Sequence, residues 1–176
     1  TAGAPAAEPG SALVRDGRSE FVILHAAAAP ASVQEAAQEL QRYVEKTTGA
    51  KLPIVASDTA PKLGFVSLGD TAAARAAGIS ARELPAEGFR LATRNGSIFI
   101  AGRDTAEREK TPEGGTSAGT SNGVYAFIED YLDVRWLLPG ELGEDAPPRR
   151  EVIVPAVDRI DRPFFFNRRL PGMQNT

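Results

Sequence analysis

The chain has 176 residues, 20 Lys and Arg against 23 Asp and Glu, a formal net charge of −3 and no cysteine. That length suits one domain with tails, and folding it hides roughly 70% of the surface the unfolded chain exposes, so a core is within reach without covalent staples. Disulfides and thiolate chemistry are excluded, the single His25 cannot build a histidine-rich metal site, the acidic balance argues against a nucleic-acid footprint, and no apolar run approaches the ~20 residues of a membrane span.

Residues 1–10 are small and rich in Ala and Pro, and no initiator Met precedes them. They read as a flexible N-terminal segment, a mature end left by leader removal or an artificial boundary. Residues 12–15 and 21–25 are short apolar runs around Asp16-Gly17, a tight-turn pair, and read together as a hairpin. The next segment is the clearest helix. Val33, Ala36, Ala37, Leu40, Tyr43, Val44 and Thr47 form one stripe, with charged and amide side chains opposite. Ser32 and Glu35 have the spacing of a capping box, and Gly49 is placed to close the last turn in a left-handed conformation. The helix is expected on a sheet with one wet face.

Residues 52–56 and 63–68 read as strands. Asp70 is placed to cap a short Ala-rich helix over 71–77, stopped by Gly78. Residues 88–93 and 97–101 flank Asn95-Gly96, the strongest short hairpin signal in the chain. Residues 102–118 form a long polar, Gly-rich loop, and loops of that length are often functional. A second helix is predicted over 121–132, with Val124, Phe127, Ile128 and Tyr131 on one face. A strand over 134–138 carries Trp136, the only Trp, and another covers 151–155. The tail differs: Phe164, Phe165 and Phe166 lie between Arg162 and Arg168-Arg169. Three consecutive Phe cannot share one face of a strand. They read either as a strand of this domain or as the start of a second one. This order gives an α/β (α+β) two-layer sandwich with a mixed or mostly antiparallel sheet and two main helices.

Four sets of residues invite a functional reading. Gly114 to Ser121 nearly matches the phosphate-loop pattern G-x-x-x-x-G-K-[ST], but Thr120 stands where the Lys belongs. The alternative is a flexible loop ending in a Thr cap. Glycoside hydrolysis needs two carboxylates flanking a sugar. Glu129 and Asp130 are adjacent on a helix and diverge, whereas Glu141, Glu144 and Asp145 share a loop near Trp136. A sugar could stack on Trp136 beside those acids; the competing reading is a core Trp and a solvated loop. His25, at a strand end, is the only histidine a catalytic triad could use, and no G-x-S-x-G elbow exists. Arg168 and Arg169 could hold a carboxylate or sugar hydroxyls. Nothing calls for a metal or a cofactor.

The run Ala36-Ala37-Gln38-Glu39-Leu40-Gln41-Arg42-Tyr43-Val44-Glu45-Lys46-Thr47-Thr48-Gly49-Ala50-Lys51-Leu52-Pro53-Ile54 resembles the first helix and following strand of an N-terminal domain of bacterial glycoside hydrolases. That domain precedes the barrel in α-glucuronidases and is the second domain of β-hexosaminidases. Residues 119–129 are similar to the same family's helix, and Val134-Arg135-Trp136-Leu137-Leu138-Pro139-Gly140 to its strand. The resemblance covers roughly residues 11–170 and rests on the order and spacing of these segments. It implies a non-catalytic accessory domain over 11–160, a linker or first barrel strand over 161–176, and a catalytic barrel of the same parent chain as partner. It also implies carbohydrate as the substrate class and a secreted or periplasmic location. Arg168 or Arg169 would match the sugar-contacting arginine that such barrels carry on their first strand. Apolar side chains in 163–176 would otherwise pack back on the domain or against a second copy. The alternatives are a free-standing carbohydrate-binding module using Trp136 and a phosphate-binding or nucleotide-binding domain using Gly114 to Ser121.

Overall fold

The computed structural model describes residues 10–162, apart from 108 and 113. Strands β1 (Ser11–Val14) and β2 (Val22–His25) lead into helix α1 (Ala31–Thr48). Strands β3 (Ile54–Ala56) and β4 (Phe65–Leu68), the short helix α2 (Ala72–Ala76), and strands β5 (Phe89–Arg94) and β6 (Ser97–Gly102) follow. Helix α3 (Gly119–Tyr131) precedes β7 (Arg135–Trp136), β8 (Glu144–Asp145), β9 (Val152–Val154) and β10 (Asp158–Asp161).

The main sheet has six strands in the order β10-β5-β6-β4-β2-β3. β2 pairs in parallel with both β3 and β4, and β4 with β6. β5 is antiparallel to β6 and to β10, so the sheet is mixed, as expected. β2 connects through α1 to β3 on one side, and the chain then crosses to β4 on the other. The connections therefore diverge between β2 and β4.

All seven residues of the predicted α1 stripe are buried. With Val124, Phe127 and Ile128 of α3 they cover Ile23, Val66, Leu68, Leu91, Ile98 and Ile100 on one sheet face. The opposite face is not wet at its centre. α2 and residues 79–84 lay Ala74, Ile79, Ala81 and Leu84 over Leu24, Phe65, Ala92, Phe99 and Ala101. β4 and β6 are consequently buried along their whole length, as strands covered on both faces must be.

Several local expectations change. Asp16 and Gly17 do make a tight turn, with φ of 50° and 71°, but β1 and β2 do not pair. β1 instead joins β9, 138 or more residues away, in a separate two-stranded sheet whose Leu13, Val14, Val152 and Val154 enter the core. The turn redirects the chain between two sheets. α1 begins at Pro30 without a side-chain cap, and the Ser32 hydroxyl is buried without a partner, so the capping box does not form. With Pro30 at the cap, the helix starts two residues earlier than the Ser32 spacing implies, which places Ser32 inside it. Gly49 does close α1, at φ 77°. Thr71, not Asp70, caps α2 by accepting from the Ala74 N–H, and Asp70 pairs with Arg75 at 2.9 Å. Asn95-Gly96 forms the expected hairpin turn between β5 and β6, at φ 50° and 76°. β10 was not legible as a strand; it completes the sheet edge along β5.

Candidate functional site

The Trp136 neighbourhood is tied together internally. β7 and β8 form a small ribbon in which Trp136 faces Glu144. The indole N–H donates to the Tyr43 hydroxyl at 2.7 Å, and that hydroxyl donates to Glu144 Oε1 at 2.9 Å. Lys46 Nζ donates to Glu144 Oε2 at 2.5 Å. The lysine and the tyrosine hydroxyl hold the Glu144 carboxyl below its usual range, and burial raises the Tyr43 phenol. Trp136 is half-buried, with Tyr43 and Tyr125 edge-on at 5.2 and 5.3 Å. Its polar handle is thus spent on fastening the ribbon to α1. A Glu144 carboxylate in an ion pair with Lys46 is a poor proton donor, since the pairing favours its charged form.

The Gly-rich loop is not an open phosphate cradle. Thr120 lies in the first turn of α3, not at its cap. Its hydroxyl accepts from the Gly102 N–H at 2.9 Å and donates to Asp104 Oδ2 at 2.5 Å, while Asp104 Oδ1 accepts from the Thr120 N–H at 2.9 Å. Glu87 accepts from the Ala118 N–H at 3.2 Å and from Asn122 Nδ2 at 2.7 Å. Two carboxylates of the chain itself therefore occupy the positive end of α3, where a bound phosphate would sit. Burial raises the Asp104 carboxyl, with the two Thr120 hydrogen bonds opposing. The glycines serve close packing. A Cβ on Gly102 would lie 1.9 Å from the Gly119 carbonyl carbon, and one on Gly119 would lie 2.2 Å from the Gly88 oxygen.

A cleft of about 430 Å³ opens where β2, β4 and β6 end. Ala28, Ala29 and Pro30 follow β2, Gly69 and Asp70 follow β4, and Arg103 and Asp104 follow β6. Val33, Leu68, Ala81 and Arg82 complete its walls. This is the carboxyl edge of the parallel strands at the point where the connections diverge, the position at which open α/β sheets commonly take ligands. Nothing along the chain points to it, because its lining comes from four separated segments of mostly small residues.

The remaining candidates are scattered. Asp130 pairs with Arg159, and the Glu129 main-chain carbonyl accepts from Arg135 at 2.7 Å. Asp145 sits on β8, in register with Arg135. His25 is buried with Nδ1 2.9 Å from the Ala26 carbonyl oxygen, and no nucleophile–His–carboxylate set assembles among the described residues. No cluster of metal-ligating side chains occurs among them either. Arg168 and Arg169 lie outside the described residues, as does the Phe164–Phe166 run.

No family model and no curated protein matches the chain. Solved structures do. A GH115 4-O-methyl-α-glucuronidase with specificity for decorated arabinogalactans aligns over 87% of this chain and 18% of its own, at 18% identity and a TM-score of 0.61. The GH20 β-N-acetylhexosaminidase of Streptomyces coelicolor aligns over 92% of this chain and 26% of its own, at 17% identity and a TM-score of 0.51. A Streptomyces plicatus β-hexosaminidase variant in complex with GlcNAc aligns over 92% and 25%, at 15% identity and a TM-score of 0.50. The fold is thus that of one part of these glycoside hydrolases, as the helix and strand motifs led us to expect. The chain spans only 18–26% of the length of the enzymes it matches.

Proposed function

We propose that this is a non-catalytic accessory domain of a glycoside hydrolase, supporting a catalytic barrel in the same parent chain. The observation that carries the reading is the coverage: nearly the whole chain matches a minor part of two kinds of glycoside hydrolase. The internal pairing of Glu144, Asp130 and Asp104 supports it, since these carboxylates serve the fold. So do Leu137, Leu138 and Leu142, which stand 73%, 67% and 103% exposed around the β7–β8 turn. A neighbouring domain would remove such an apolar ridge from water.

The test compares the parent protein with and without this domain. Loss of soluble, folded catalytic domain on deletion is the expected result, together with no glycosidase turnover by residues 1–176 alone. Turnover by the isolated domain, or a fully stable and active barrel without it, would overturn the reading.

A further inference from the structure

We propose that the cleft at the ends of β2, β4 and β6 binds a small organic oxyanion, a carboxylate or phosphate group carried on a compact carbon body. The first argument is charge that the fold leaves unused. Arg42, Arg75, Arg90, Arg94, Arg135, Arg149 and Arg159 all have carboxylate partners within 4 Å. Among the described residues the two arginines of the cleft have no such partner; Arg15, Arg18 and Arg162 have none either, but they lie outside the cleft. The Arg103 guanidinium donates, among the described residues, only to the Leu84 carbonyl, at 3.3 Å, and the Arg82 side chain makes no hydrogen bond or ion pair among them. A guanidinium fork is the side chain best shaped to grip a carboxylate or phosphate.

The second argument is the cavity itself. Its ~430 Å³ falls within the range of small-molecule sites. Val33, Leu68, Pro30 and the alanines at 26, 28, 29 and 81 form an apolar wall for the body of such a ligand. The third is the contrast between two helix ends. α3 meets Asp104 and Glu87 at its start, whereas α1, with 18 residues, has no side-chain cap and no acidic residue in its first turn. Pro30, at that uncapped end, lines the cleft and so adds a favourable field for an anion there.

Two aspartates also line the cleft and must be weighed. The Asp70 carboxylate is paired with Arg75 at 2.9 Å. The Asp104 carboxylate is held by the Thr120 N–H and hydroxyl, and burial disfavours its charged form. Both are engaged by groups other than Arg82 and Arg103.

Isothermal titration of the 176-residue chain with benzoate, phenyl phosphate and benzyl alcohol tests this. The three share a carbon body and differ in the charged group. One or both anions should bind saturably at millimolar concentration, and the neutral alcohol at least about tenfold more weakly. The tighter anion identifies carboxylate or phosphate as the group recognised. Arg82→Ala and Arg103→Gln should each weaken the anion by about tenfold while leaving the alcohol unchanged. Amide shifts in NMR spectra should cluster at Ala28, Gly69 and Gly102. Arg82 is exposed and has no side-chain partner among the described residues, so its variant keeps the test valid if Arg103→Gln unfolds. Absence of saturable anion binding, equal affinity for the alcohol, shifts elsewhere on the surface, or unchanged affinity in a folded Arg82→Ala would each overturn the site. None of these outcomes bears on the accessory role, which the deletion experiment addresses separately.

Discussion

The Tyr43 hydroxyl accepts the Trp136 indole N–H across 2.7 Å, joining residues 93 positions apart. Around this bond the ribbon β7–β8 is fixed to α1, and the same hydroxyl reaches Glu144 at 2.9 Å. Tyr43 itself is 1% exposed. The only tryptophan of the chain therefore acts first as a fastening between two elements.

Tyr43→Phe keeps the ring and removes the hydroxyl. It leaves the Trp136 N–H without its acceptor and withdraws one donor from Glu144. The expected loss is about 1–3 kcal/mol, read as a lower urea midpoint with Trp136 fluorescence as the probe. An unchanged midpoint would mean that water replaces the hydroxyl at no cost.

Gly102→Ala tests the β6–α3 contact. The new methyl would stand 1.9 Å from the Gly119 carbonyl carbon and 2.0 Å from the Thr120 nitrogen, both backbone atoms that cannot yield separately. A loss of about 3 kcal/mol or more, or failure to fold, is expected in thermal melts. Gly115→Ala is the control. A Cβ there meets nothing within 4 Å, so its effect should stay within about 0.5 kcal/mol.

Asp158 anchors β10. Its carboxylate takes Arg90 in a two-point grip at 2.8 Å and also pairs with Arg94, and these partners lower its carboxyl to about 2. A depressed carboxyl stabilises the fold above its unfolded value of about 4, and that contribution is lost as pH falls through about 2. The side chain is 35% exposed, so solvent screening limits the effect to about 1 kcal/mol. Urea melts of the native chain and Asp158→Asn should differ by that amount at pH 6 and converge towards pH 2.

Asp104 has the opposite sign. Burial raises its folded carboxyl, so its contribution is complete below the unfolded value of about 4 and is lost as pH rises through the raised folded value. Asp104→Asn, which keeps an acceptor for the Thr120 N–H, should gain stability relative to the native chain as pH rises from 4 towards neutrality. A constant difference across that range in parallel melts would contradict the assignment.

Much of this fold is legible along the chain. The α1 stripe from Val33 to Thr47, the Gly49 stop, the Asn95-Gly96 hairpin and the α3 face each follow from spacing or from a turn residue's backbone freedom, both local properties. Even the likeness to a glycoside hydrolase domain was readable in the order of these segments. Other features depend on what meets across the sheet. Asp16-Gly17 specifies a turn but not the partner of β1, which is β9. Ser32 and Glu35 have cap spacing, yet the helix starts at Pro30. Glycines near α3 resemble a phosphate loop until Asp104 and Glu87 are seen at the helix end, brought there by β6 and the β5 approach. The cleft is wholly tertiary: Arg82 and Arg103 are unremarkable in sequence and become neighbours of one cavity only because β4 and β6 lie in parallel. The sequence by itself determined the main helices and most strands, since each of those needs only its own periodicity and end signals; β8 and β10 became strands only through their partners β7 and β5. The tertiary structure decided which charges are spent on the fold and which remain, since that depends on distances between segments that spacing along the chain does not encode.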